Sequence, residues 1–167
     1  MLLNSGCRKS YSLNEEQSIF FHYEYIKDGQ NTAHNGFYID NEGSVLSYSD
    51  PEDWNFHDES LSISKEDLAE NLSRCFHSGF MVPDKVLSRY SGYIPNIASS
   101  KITAVRNTGT DKGTIRFICY QYDKYSDCYH GTLIRTEGDF TQENLNFYSK
   151  KIISWLKDIS INIETQQ

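Results

Sequence analysis

The sequence predicts an α+β fold: a largely antiparallel sheet of about six strands with helices packed on one face, in the order βββ-αα-βββ-α. Three observations carry this. Short runs of alternating apolar residues fall into two groups broken by tight-turn residues, which is the pattern of hairpins. Two other stretches repeat apolar residues at helical spacing. Twelve Tyr, nine Phe and two Trp in 167 residues suit a half-buried pleated surface. A chain of this length reads as one domain. It buries about two-thirds of its unfolded surface and folds without a metal or a disulfide.

Residues 18–27 (SIFFHYEYIK) alternate, with Ile19, Phe21, Tyr23 and Tyr25 on one side and Phe20, His22, Glu24 and Ile26 on the other. That is a strand with one apolar and one mixed face. Residues 36–40 and 44–49 form a hairpin around Asn41-Glu42-Gly43, in which Gly43 takes the positive φ that closes a three-residue turn. Ser64 and Asp67 cap a helix whose face is Leu68, Leu72, Cys75 and Phe76, ended by Gly79. Pro83 opens a second helix with Val86, Leu87 and Tyr90 inward. Pro95 leaves residues 93–100 kinked. Residues 101–106, 114–122 and 129–136 read as strands, and TIRFICYQY, apolar on both faces, belongs at the sheet centre. Thr141 caps a last helix with the stripe Leu145, Tyr148, Ile152, Trp155, Leu156 and Ile159. Burial of each such large side chain contributes roughly 1.5–3 kcal/mol. Residues 1–17 read as a truncated signal remnant and tether, 18–163 as the single α+β domain and 164–167 as a frayed tail.

The net charge of −7 and the lack of any Lys/Arg cluster exclude a nucleic-acid footprint. The acidity suits a basic protein partner. No stretch approaches the apolar length needed to span a bilayer. The cysteines are Cys7, Cys75, Cys119 and Cys128. None has metal-ligand spacing. Cys119 and Cys128 flank a hairpin tip and form the nearest pair that could close a disulfide. Cys75 reads as a small buried hydrophobe.

Ser5-Gly6-Cys7, preceded by Leu2-Leu3-Asn4, resembles the end of a bacterial lipoprotein signal, with Asn4 where that family usually has Leu. The resemblance implies lipidation at Cys7, a membrane contact by lipid anchor only, and a place in the bacterial cell envelope, facing the periplasm or the surface. The polar run 8–17 fits a tether. The series GFYID-NEG-SVLSY, paired helices, a TDKGT–YQYD hairpin, and GDF before a helix ending near Trp155-Leu156-Lys157 is similar to an uncharacterised group of secreted or lipid-anchored bacterial proteins. That likeness carries no activity onto individual residues. If Cys7 is an ordinary cysteine, a soluble cytoplasmic binding protein is the alternative.

No catalytic residue is assigned. His22, His34, His57, His77 and His130 are scattered, and no nucleophile elbow, HExxH or phosphate loop is present. His22 reads as a sheet residue before a base, and His130 meets Cys128 only by chance geometry. No metal or other cofactor is expected: the acidic run 50–59 could offer Ca²⁺ oxygen ligands but lacks EF-hand spacing. Two surfaces are expected to bind a protein. One is the acidic loop of Asp50, Glu52, Asp53 and Asp58, with Trp54 and Phe56 among its charges. The other is the hairpin bearing Tyr120, Tyr122, Tyr125 and Tyr129. The expectation is therefore a non-enzymatic envelope lipoprotein that binds another protein of unspecified identity, with an immunity or inhibitor role as its narrower form. An enzyme with a site assembled from scattered His and acidic residues is the other alternative.

Overall fold

The structure is a computed structural model that describes residues 16–164. Its strands are β1 (Ile19–Lys27), β2 (Ala33–Asp40), β3 (Ser44–Ser49), β4 (Ser62–Ser64), β5 (Phe76–Met81), β6 (Arg106–Asn107), β7 (Thr114–Asp123), β8 (Cys128–Gly138) and β9 (Phe140–Glu143). Its helices are α1 (Lys65–Ser73), α2 (Asp84–Ser91), α3 (Ile94–Ala98) and α4 (Ser149–Glu164). One sheet runs β5-β3-β2-β1-β7-β8-β9-β6, and β4 lies along the start of β8. The paired strands are antiparallel throughout.

The alternation in β1 sorts the sheet into two faces. Phe21, Phe37, Ile39, Phe117 and Ile134 join Leu87, Ile94, Ile97, Ile152, Leu156 and Ile159 in one core beneath α2, α3 and α4. Trp155 wedges there, edge-on to Phe21 at 5.3 Å and stacked on Tyr90 at 4.3 Å. The opposite face is aromatic and polar. Tyr38, Tyr48, Ile118, Tyr120 and Tyr129 pack with Leu68 of α1 and with Trp54. A bulge between Ile19 and Phe21 lets Ile19 join this second core while Phe20 and Phe21 both serve the first.

The α+β class and the antiparallel sheet stand. The strand count, the order and the placing of helices on one face are corrected: the described residues form nine strands, and α1 covers the face opposite α2–α4. The first helix stops at Ser73, and residues 76–81 are strand β5. Gly79, at φ +80°, cannot continue a helix, and β3 needs a partner for its outer backbone groups. Ser64 does cap α1, accepting from the Asp67 N–H at 3.0 Å. Residues 140–143, expected to open the last helix, are strand β9. Asn144 delays α4, because its buried side chain donates to the Ile97 carbonyl and accepts from the Asn146 N–H. Leu145 is therefore off the stripe and exposed, while Ile152, Leu156 and Ile159 are buried. The segment 101–106 makes only a bridge at Ile102 and the start of β6. Residues 94–98 form the short α3. The turn at Gly43 has φ +86° as expected.

Cys75, Cys119 and Cys128 are free thiols. Cys119 faces Thr132 and Cys128 faces Asp123 across the hairpin, so the two cysteines are not opposed. Burial pushes the Cys119 thiol up to about 12. Gln17, expected in the tether, is buried in the domain: its amide donates to the Tyr120 and Ile19 carbonyls and accepts from the Tyr122 N–H. Cys7 lies outside the described residues.

Leu156 is fully buried at the centre of the helical face. Leu156→Ala is expected to cost about 2–5 kcal/mol, read as a lowered urea midpoint with an unchanged slope.

Candidate functional site

The aromatic face contains a buried charge. Glu24 sits mid-way along β1, opposite Gly36 of β2 and Arg116 of β7. Its side chain is 1% exposed. The Arg116 Nη2 lies 2.8 Å from Glu24 Oε2. The His34 Nε2 lies 3.1 Å from Oε1, and the His57 Nε2 lies 3.6 Å from Oε2. A buried carboxylate without partners costs several kcal/mol. Here partners come from β2, from β7 and from the loop after β3. Burial alone would raise the Glu24 carboxyl. Hydrogen bonds from His34 and His57, with the nearby charges, outweigh it and hold the group well below its ordinary range. Gly36 makes the room: a Cβ there would meet the Tyr23 carbonyl and the Tyr48 ring.

One position earlier on the same face, His22 bridges two tyrosines. Its Nε2 is 2.8 Å from the Tyr48 hydroxyl and its Nδ1 is 3.3 Å from the Tyr120 hydroxyl. The ring stacks on Tyr38 at 4.0 Å. Complete burial lowers the imidazole to about 3, so it is neutral and gives one donor and one acceptor to the two hydroxyls. Burial likewise raises the Tyr38, Tyr48 and Tyr120 hydroxyls.

The acidic loop is the lid of this cluster. His57 reaches inward to Glu24, while Trp54 packs against Tyr48 at 4.3 Å and against His34 edge-on at 5.4 Å. Asp50 accepts from the His34 N–H at 2.7 Å. Asn55 and Asn71 of α1 exchange two hydrogen bonds. Asp58 accepts from the N–H groups of Ser60 and Ser62. Glu52 and Asp53 are exposed. Phe56 is 62% exposed yet stacked on His34 at 5.2 Å. The loop thus presents one aromatic ring ringed by acids, and Trp54 is turned inward.

The tyrosine hairpin is different. Tyr120 and Tyr129 are 1% exposed and Tyr122 is buried, so these three leave the proposed binding surface for the core. The Tyr122 hydroxyl donates to Asp127 and accepts from Lys65 at 3.3 Å. Tyr125 alone is open, at 91%. His130 bonds the Ser62 hydroxyl at 3.0 Å instead of approaching Cys128.

Glu24, His34 and Arg116 were not singled out as site residues by sequence reasoning. The available signal was charge within alternating strands: Glu24 in SIFFHYEYIK and Arg116 in TIRFICYQY. Among the described residues no group of three or more His, Cys, Asp or Glu is placed to hold a metal ion, and Arg116 occupies the open side of the Glu24 carboxylate. No described helix is long and apolar enough to cross a membrane. Comparison with protein-family profiles, curated proteins and solved structures gave no match.

The lowered His22 basicity sets a pH dependence. Unfolded, the ring takes a proton near pH 6.5, and folded only near 3. The unfolded state therefore binds more protons between these values, so stability falls as pH drops through that window. The group is expected to remove about 3 kcal/mol between pH 7 and pH 4. Urea unfolding at each pH should give a shallower decline for His22→Gln than for wild type. Parallel declines would remove His22 as the cause.

Proposed function

We propose that this protein acts by binding another protein, without turnover, through the acidic loop at residues 50–59. The observation that carries this reading is the fixed aromatic anchor Phe56, exposed at 62%, amid Glu52, Asp53, Asp58 and Glu59. Loop ordering is met within the domain by His57, Trp54 and Asn55, so a partner need not supply it. An exposed aromatic on a preordered support, rimmed by charge, has the make-up of a binding hot spot. The acid rim and the net charge of −7 favour a partner with a basic face. Tyr125, at the hairpin tip, is a second contact candidate. In the envelope setting that Cys7 suggests, neutralising a secreted toxin or hydrolase, as immunity and inhibitor proteins do, is the narrower form of this reading. It rests on analogy of class.

A second reading has its own observation. Glu24, His34, His57 and Arg116 converge as acids, bases and a cation do in active sites. Their burial and their pairing around one carboxylate favour a structural role over turnover. Hydrolysis of any substrate that is lost in Glu24→Gln would favour the enzyme instead.

Glu52→Gln and Asp53→Asn leave the loop's internal hydrogen bonds intact. Against a purified basic partner recovered from an envelope extract, these two changes should slow association and flatten its salt dependence. Phe56→Ala should mainly speed dissociation. Surface plasmon resonance reads both rates, and three variants with wild-type rates would sink the loop as the binding surface. For the anchor, Cys7→Ser expressed with its leader should move the protein from the detergent phase to the aqueous phase, because loss of the acyl chains removes stable attachment.

A further inference from the structure

Beside the acidic loop, the same sheet face carries a hollow of about 440 Å³ lined by Arg116, Glu59, Thr132, Thr136, Leu133 and Ile102 among others. That volume is within the range of small-molecule sites. Its charged groups are arranged unevenly. Arg116 comes from the central strand β7 and is held by the buried Glu24 through Nη2 at 2.8 Å. The guanidinium carries five donors in a planar fork. Among the described residues its ion-pair partner is Glu24, met through Nη2, and the side chain is 26% exposed. The second charge, Glu59, is an exposed carboxylate on the loop wall. The lining also includes Thr132 and Thr136 and the apolar Leu133 and Ile102.

We infer that this hollow binds a small zwitterion, a free α-amino acid, with its carboxylate on the open edge of Arg116 and its ammonium toward Glu59. A guanidinium can serve two carboxylates, one on each edge, and Glu24 leaves an edge unused. Arg116, His34 and His57 surround the single Glu24 carboxylate, so a second carboxylate is not entering a site of uncompensated negative charge. A phosphate dianion would suit the hollow less, because Glu59 would repel it. The apolar wall takes an aliphatic side chain, and the threonine hydroxyls serve the polar backbone atoms. Because Arg116 is fixed before any ligand arrives, little ordering is required on binding.

The test uses the full chain and an equimolar mixture of the twenty common amino acids, read by saturation-transfer NMR. At least one should receive saturation. For that amino acid, calorimetry should give about tenfold weaker binding for its amide, which lacks the carboxylate, and for its N-acetyl form, which lacks the ammonium. Arg116→Lys keeps a cation beside Glu24, and so the fold, but loses the fork. It should weaken binding by a similar factor. Glu59→Gln is an exposed change that should leave the melting temperature unaltered while weakening the ammonium contact severalfold. No saturation from any amino acid would overturn the inference. So would an amide and an N-acetyl form that bind as tightly as the parent, or affinity unmoved by both variants. Glu59 also belongs to the acid rim of the loop, so the separating arms are Arg116→Lys and the amide and N-acetyl ligands, which leave Glu52, Asp53 and Phe56 unchanged. Amino-acid affinity reads this inference, and the rates of the Glu52, Asp53 and Phe56 variants read protein binding.

Discussion

The buried Glu24 carboxylate is the constraint around which this molecule is arranged. An ionised carboxylate at the middle of a central strand is tolerable only with opposite charge and donors around it. Those arrive from three separate stretches of chain: His34 on β2, Arg116 on β7 and His57 from the loop after β3. Two of the contacts fix neighbours of β1 in register. The third ties an irregular, acidic segment to the sheet. Removing Glu24 would therefore leave an arginine and two imidazoles crowded without their anion. Removing His57 would take away one of the loop's ties, with Trp54 and Asn55 still holding it, and leave the sheet's own pair in place. The polar cluster confers order on a part of the chain that has little apolar material of its own.

The two faces of the sheet divide this labour. Under α2, α3 and α4 the contacts are aliphatic and aromatic, with Leu156 and Ile152 fully buried, and cohesion comes from apolar area. On the other side, tyrosines pack among the aliphatics, and His22 joins Tyr48 to Tyr120. Such a face needs polar satisfaction as well as packing. That explains its cover of one short helix and a hydrogen-bonded loop: loop backbone and side chains can meet hydroxyls and imidazoles, as Asn55 meets Asn71.

Much of the fold was legible because it depends on local pattern. Alternation in β1, the glycine turn at Gly43, the Ser64 cap and the stripe of Ile152, Leu156 and Ile159 are all written within a few residues. What was not legible depends on partners distant in sequence. Strand β5 follows a helix with two residues between and is short, largely exposed and glycine-containing; only the open edge of β3 makes it a strand. Strand β9 was read as the start of a helix because the role of Asn144 depends on the Ile97 carbonyl, 47 residues away. The candidate site was hidden for the same reason. Glu24, His34, His57 and Arg116 span almost a hundred positions, and nothing in their spacing marks them as neighbours until the strand order β2-β1-β7 is known. The acidic loop was visible as composition, but the inward turn of Trp54 and His57 was not.

The distribution of charge follows from this division and links interior to surface. Glu24 is enclosed by cationic and imidazole groups, whereas Glu52, Asp53, Asp58 and Glu59 face water a few residues from His57. The loop thus carries its acids on the water side, with His57 and Trp54 on the inner side and Phe56 on the outer. Arg116 is the exception, since its guanidinium pairs with Glu24 while its side chain also lines the hollow. A group bound to Arg116 in the hollow would draw on the same cation that neutralises Glu24, and would therefore bear on the contacts that hold the loop. Interior pair, loop and hollow share one arginine, and that shared group is the physical route by which the two surfaces could influence each other.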